Sequence, residues 1–333
     1  MLTRLAFLLH LTLFSIIPLG NFGSAWAQSS AATVAPAHVA TVAPPQVAIV
    51  APAHVATVAP PQVAAVAPAS LMPPIREPGV GAFWEDSLSR EARGDYLGAA
   101  LAGEWVAEQI PDNIHVRWRI ARNYMLAVEG LPADDHDGRR QLLESSRAWA
   151  RRGRQLDTRC GECCLYDFAS TARLAALGGP IRSMRLVREA GRTLEHCLAS
   201  PPSWSDSPWS YERANLYHGA GVFLRLLPES RWFSLFSGVR GDKKRAIELG
   251  RRAVDLAPER VDYAVGLGAA LLCHGSRRDD ADEIAEGLRV LEGVVGLPDH
   301  LPTDDLDRRR AWALRADPSL ACSNTREGQI HFE

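Results

Sequence analysis

From Arg76 onward, apolar residues recur every three or four positions between short breaks. This periodicity predicts helices near 83–93, 96–109, 114–129, 138–155, 162–177, 181–199, 208–226, 243–256, 260–274, 281–296 and 304–315, with no convincing strand. The joints carry stop and start chemistry: Gly94-Asp95 makes a tight turn, Pro111, Pro258 and Pro318 stop helices, and Asp242 caps the helix after it. Before Arg76 the pattern is of another kind. No charged side chain occurs between Leu5 and Ile75, so all 39 acidic residues and 36 of the 37 basic ones lie in 76–333.

That division predicts three segments. Residues 1–27 hold Arg4, an apolar run from Leu5 to Ile17, and Ala25-Trp26-Ala27, the pattern of a secretory leader with a small-x-small cleavage site. The run is shorter than the roughly 20 residues a bilayer requires, which argues against a permanent span. The protein is therefore expected in the periplasm or outside the cell. Residues 28–78 repeat a 16-residue unit in which Pro36 recurs as Pro52 and Pro68, His38 as His54, and Pro44-Pro45 as Pro60-Pro61. Half of the 22 prolines fall in the first 78 residues. Proline at this density removes the donors a sheet needs and predicts a disordered, extended spacer. Residues 79–333 form the helical domain.

Within that domain the spacing of small residues sets the architecture. Ala246, Ala253 and Pro258 followed by Leu267-Gly268, and Gly94-Asp95-Tyr96, Ala99, Val106 and Pro111 followed by Ile120-Ala121 and Tyr124, resemble the tetratricopeptide repeat (TPR). A third unit is degenerate, with Gly153 where the repeat has alanine and Leu156-Asp157-Thr158 where it has Leu-x-Pro. The resemblance implies an all-α fold of antiparallel helix pairs stacked as a TPR-like superhelix, an α-solenoid. The stretch 215–298 also resembles exported helical-repeat proteins of Gram-negative bacteria, through Leu216-Tyr217-His218-Gly219, Gly238-Val239-Arg240-Gly241-Asp242, Asp262-Tyr263 and Leu271-Leu272-Cys273. A weaker likeness, of architecture alone, is to the T component of TRAP transporters, whose family partners a substrate-binding protein and contains a pore for an apolar ligand. It carries over the fold class and no ligand residue.

Six cysteines in an exported chain predict disulfides. One of Cys160, Cys163 and Cys164 is expected to pair with Cys197. A redox centre at Cys160-x-x-Cys163 lacks the strand-then-helix context of thioredoxins. A zinc site with His196 and Cys197 lacks a second metal-ligand pair. Trp204, Trp209, Trp232, Phe233 and Phe236 crowd the 204–236 stretch. They read as an apolar ligand pocket, as a patch facing a partner, or as a loop plugging one end of the superhelix. Arg182, Arg185, Arg188 and Arg192 follow helical spacing beside an apolar stripe, as a basic groove for acidic peptides or as a solvated face.

The charged part carries more acid than base, which excludes a basic nucleic-acid binder. No Gly-x-Ser-x-Gly, His-Glu-x-x-His or phosphate-loop sequence occurs. The sequence thus predicts a non-enzymatic module that binds a protein or peptide on its concave face, with no cofactor. The alternative is a carrier or transporter accessory protein holding an apolar small molecule in an aromatic-lined cavity.

Overall fold

A computed structural model describes residues 79–178, 180–203, 211–301, 303–326 and 328–329. Residues 1–27 and 28–78, expected as leader and spacer, lie outside these residues. The described chain belongs to one compact unit, Ala64–Glu333. It contains twelve α-helices: α1 (Val80–Ala92), α2 (Tyr96–Gln109), α3 (Ile114–Ala127), α4 (His136–Leu156), α5 (Gly161–Ala176), α6 (Pro180–Ala199), α7 (Glu212–Leu226), α8 (Arg231–Ser237), α9 (Lys243–Leu256), α10 (Val261–Arg278), α11 (Ala281–Gly293) and α12 (Asp304–Ala316).

Local chemistry fixes where these helices begin. Asp95, Asn113, Asp135, Asp242 and Asp280 each accept a hydrogen bond from a first-turn amide, as Asp95 does from Gly98 N at 3.0 Å and Asp242 from Arg245 N at 2.9 Å. Such a cap is worth about 1 kcal/mol. Pro111, Pro258 and Pro318 each follow a helix end by two residues, where the ring disfavours helical backbone in the residue before it.

The helices pack as antiparallel pairs, α1 with α2, α3 with α4, α5 with α6, α7 with α9, and α10 with α11. The second helix of a pair also touches the first of the next pair, as α2 does α3, α4 does α5 and α9 does α10. This is the TPR-like stacking that the resemblance implies. Its physical basis is close approach: Ala99, Ala121, Ala246 and Ala253 are fully buried. A Cβ added to Gly268 would come within 2.6 Å of Leu291. Gly153, where the repeat has alanine, faces the sulphur of Cys163, and a Cβ there would lie 2.5 Å from it. The cysteine of the next helix fills the space that the methyl group would need.

The first helices of successive pairs, α3, α5, α7 and α10, also touch one another and form an inner row. Helix α10 is buried around nearly its whole circumference by α7, α9, α11, α12 and a 3-10 turn at Pro318–Cys322. Three disulfides tie this framework. Cys164–Cys197 joins α5 to α6, Cys273–Cys322 joins α10 to the 3-10 turn, and Cys160–Cys163 closes the first turn of α5.

Three details depart from the sequence expectation. Residues 231–237, expected to be a stretch between helices, form α8. The helix expected over 260–274 runs on as α10 to Arg278, before Asp279 takes a left-handed φ of 55°. A two-residue antiparallel ladder pairs Asn324–Thr325 with Gly328–Gln329, too short to alter an all-α fold.

Candidate functional site

The inner row of helices encloses a concave groove of about 710 Å³. Its floor is apolar. Met125 and Leu126 come from α3, Leu165, Phe168, Ala169 and Ala172 from α5, and Val222, Phe223 and Leu226 from α7. The Phe168 and Phe223 rings meet edge to face, 5.5 Å between centroids. One wall is C-terminal: Thr303 just before α12, Arg310 within it, and Thr325 and Arg326 in the segment after it reach the groove.

A row of buried polar side chains runs through these inner helices. Glu91, near the end of α1, accepts from Arg119 at 3.0 Å and from Arg122 at 2.5 Å. Arg122 also pairs with Glu212 of α7 at 3.2 Å. Glu212 in turn accepts from Tyr166 at 2.5 Å and from Asn215 at 3.3 Å, and Tyr263 of α10 donates to Asn215 at 2.6 Å. Beside Tyr263, Asp262 forms a two-bond pair with Arg260 at 3.1 and 3.0 Å. Arg326 bridges Asp262 at 3.5 Å and Asp307 at 2.5 Å, and Arg310 shares Asp307 at 2.5 Å.

This arrangement dictates the charge states. Burial raises the carboxyl pKa of Glu91, but Arg122 and Arg119 more than offset it and leave the group below its ordinary value. Asp262 is held down in the same way, with burial opposed by Arg260 and Arg326. Burial, reinforced by Glu212, pushes the Tyr166 hydroxyl well up, so it donates as a neutral phenol. His218 lines the groove beside Tyr263, and burial pushes it down to about 4 against the pull of Asp262. It stays neutral at physiological pH.

Beyond the groove, Arg225 is fully buried and donates to the carbonyls of Ala321 and Asn324, the latter at 2.7 Å. Burial, with Arg310 beside it, lowers Arg225 to about 9. These bonds fasten the C-terminal segment to α7, so the groove wall has a covalent tie through Cys322 and a polar one through Arg225.

The residues singled out from sequence fall elsewhere. Trp232 and Phe236 stand exposed on α8, and Phe233 is half-buried against the core. None of the three lines the groove, whose rings are Phe168 and Phe223. Trp204 and Trp209 lie outside the described residues, as does the side chain of Arg182. Arg185, Arg188 and Arg192 are exposed on α6, away from the groove. Arg188 donates to the carbonyls of Phe236 and Ser237, so α6 and α8 share one face. Sequence reasoning treated these arginines and aromatics as separate features, and the fold joins them. Cys160, Cys163, Cys164 and Cys197 are all buried and all bonded.

Arg122, Tyr166 and Glu212 read as ordinary helix residues and Arg326 as a tail residue beyond the last helix until their distant partners are known. A trace was present for others: His218 and Asp262-Tyr263 lie in the motifs that carry the exported-repeat resemblance.

No family model matches the chain, and neither does any curated protein. Among solved structures it is similar to the crystal structure of MamA protein, at 15% identity over 67% of this chain and 97% of that one, with a TM-score of 0.39. It is also similar to a thermophilic TPR protein from Thermus thermophilus, at 14% identity over 71% of this chain and 98% of that one, with a TM-score of 0.46.

Proposed function

We propose that this protein is a non-catalytic module of the cell envelope that holds a peptide or protein partner in the groove between α3, α5, α7 and α10. The observation that carries the reading is the groove itself: an apolar floor bordered by polar side chains already fixed in ion pairs. Fixed donors and acceptors cost little to order on binding, and stacked pairs present a long curved surface suited to an extended chain. Pull-down from envelope extract with the wild-type chain should recover a specific protein, and Ala172→Trp, which fills the floor, should release it. Recovery of nothing that Ala172→Trp removes would sink the reading.

A second reading rests on the volume. About 710 Å³ falls within the range of small-molecule sites, roughly 300–1,000 Å³, so an apolar ligand carried in the same groove is the alternative. Native mass spectrometry of protein purified without detergent separates the two. A discrete added mass lost in Ala172→Trp supports a carrier, and a bare chain supports the peptide groove.

A further inference from the structure

Helix α8 lies on a different face from the groove and has an unusual exposure pattern. Trp232, Leu235 and Phe236 are 74%, 70% and 63% exposed, more than any other large apolar side chain among the described residues. Their spacing of i, i+3 and i+4 puts all three on one side of the helix. The opposite side is held firmly. Phe233 packs against the core, Ser237 is buried, and Arg188 of α6 clasps the carbonyls of Phe236 and Ser237. Ser230 caps the start by accepting from Phe233 N at 3.2 Å, and Gly238 ends the helix at a φ of +70°. The apolar side chains therefore point outward from a capped, anchored helix.

Around them the surface is basic. Arg231 opens α8, and Arg185 and Arg192 stand exposed on the adjoining α6. Arg192, Arg240, Lys244 and Arg278 line a cleft of about 590 Å³ between α6 and the chain that links α8 to α9. Two carboxylates on this side are in ion pairs, Glu195 with Arg245 at 2.8 Å and Glu189 with Arg147 at 3.0 Å, while Glu229 and Asp242 accept from the backbone amides of Lys243 at 3.3 Å and Arg245 at 2.9 Å. None of Arg185, Arg192, Arg231 and Lys244 has a carboxylate partner among the described residues.

We infer that α8 and its arginine collar dock this protein on an anionic bilayer surface. Three large apolar tips on a face that also carries the exposed cations Arg185, Arg192 and Arg231 match an interfacial anchor, in which the rings enter the headgroup layer and the arginines meet lipid phosphates. Size favours a bilayer over a folded partner. The apolar tip offers on the order of 400 Å², whereas a stable protein interface takes about 800 Å² from each side. No helix among the described residues is long and apolar enough to cross a membrane.

The test places an environment-sensitive NBD label on Leu235→Cys in the full chain. All six native cysteines are in disulfides, so the new thiol is the only free one. The label reports position 235 itself and is not mimicked by insertion of the apolar leader. Vesicles of equal phosphatidylglycerol and phosphatidylcholine should raise NBD emission several-fold and shift it to the blue. Neutral phosphatidylcholine vesicles should leave it near its aqueous value, and high salt should reverse the rise. Adding Arg185→Glu, Arg192→Glu and Arg231→Glu should abolish most of the rise with the melting temperature unchanged. The inference is overturned if the label stays aqueous on anionic vesicles, if neutral vesicles serve equally well, or if charge reversal has no effect in a folded variant. A label that stays aqueous on vesicles yet responds when copies of the chain associate overturns it in favour of a self-interface.

Discussion

The concave groove and the α6–α8 face treat polar and apolar side chains in opposite ways. In the groove, charged side chains are largely withdrawn from solvent and paired, several of them across the fold: Arg122 with Glu91 and Glu212, Arg326 with Asp262 and Asp307. On the α6–α8 face, Arg185, Arg192 and Arg231 stand in solvent without a carboxylate partner among the described residues, and Trp232, Leu235 and Phe236 are exposed on the same face. Buried charge without a partner costs several kcal/mol, so the groove network must be complete before anything binds. Exposed apolar surface carries no such requirement within the fold, so its partner is sought outside. The groove is prepared by the protein's own stability, and the α8 face is independent of it.

That contrast makes predictions of decreasing size. Glu212→Leu takes the acceptor from the buried Tyr166 hydroxyl and from Asn215 and leaves Arg122 with Glu91 alone, and the loss should be about 3–5 kcal/mol in urea unfolding. A loss below about 1 kcal/mol would show that the groove network is not structural. Replacing Cys164 and Cys197 together by serine frees a loop whose ends are 33 residues apart, and should cost roughly 3–4 kcal/mol in the same assay.

A third effect is pH-dependent. His218 has a folded pKa of about 4, below its unfolded value, so the unfolded chain binds the proton first as pH falls. Its contribution is complete above about pH 6.5 and is lost as pH drops through 6.5 toward 4. Glu91 and Asp262, also held below their ordinary values, add to the loss at still lower pH. Thermal melts should show the wild type losing on the order of 2 kcal/mol more than His218→Gln between pH 7 and 4.5. Parallel curves would remove His218 from the account. Smallest is Trp232→Ser on the other face, which should change stability by less than about 0.5 kcal/mol. A larger loss would mean that α8 belongs to the core and that the contrast fails.

Much of the fold was legible in the residues. Ala99, Ala246 and Ala253 mark close contacts between helices, Asp242 and Pro258 bound α9, and eleven of the twelve helices fall near their expected positions. Helix α8 escaped because seven residues are fewer than two turns, too short for periodicity to show. Its boundary signals, Ser230 and Gly238, were present but brief. Among the cysteines, the sequence favoured a bond from the 160–164 cluster to Cys197. The choice of Cys164 follows from the side of α5 that faces α6. The groove was less legible still. Its polar row depends on pairs such as Arg122 with Glu212 and Asp262 with Arg326, separated by dozens of residues along the chain.

By itself the sequence determined the split into an uncharged N-terminal stretch and a charged helical body, the start and stop of nearly every helix, and the small residues at which pairs meet. Those are local properties: capping, proline and side-chain size act within a few residues of one another. Tertiary structure decided which charges become partners, which cysteines bond, and that the arginines of α6 and the aromatics of α8 occupy one face. These outcomes depend on distances between segments remote in the chain, which are settled only when the helix pairs stack.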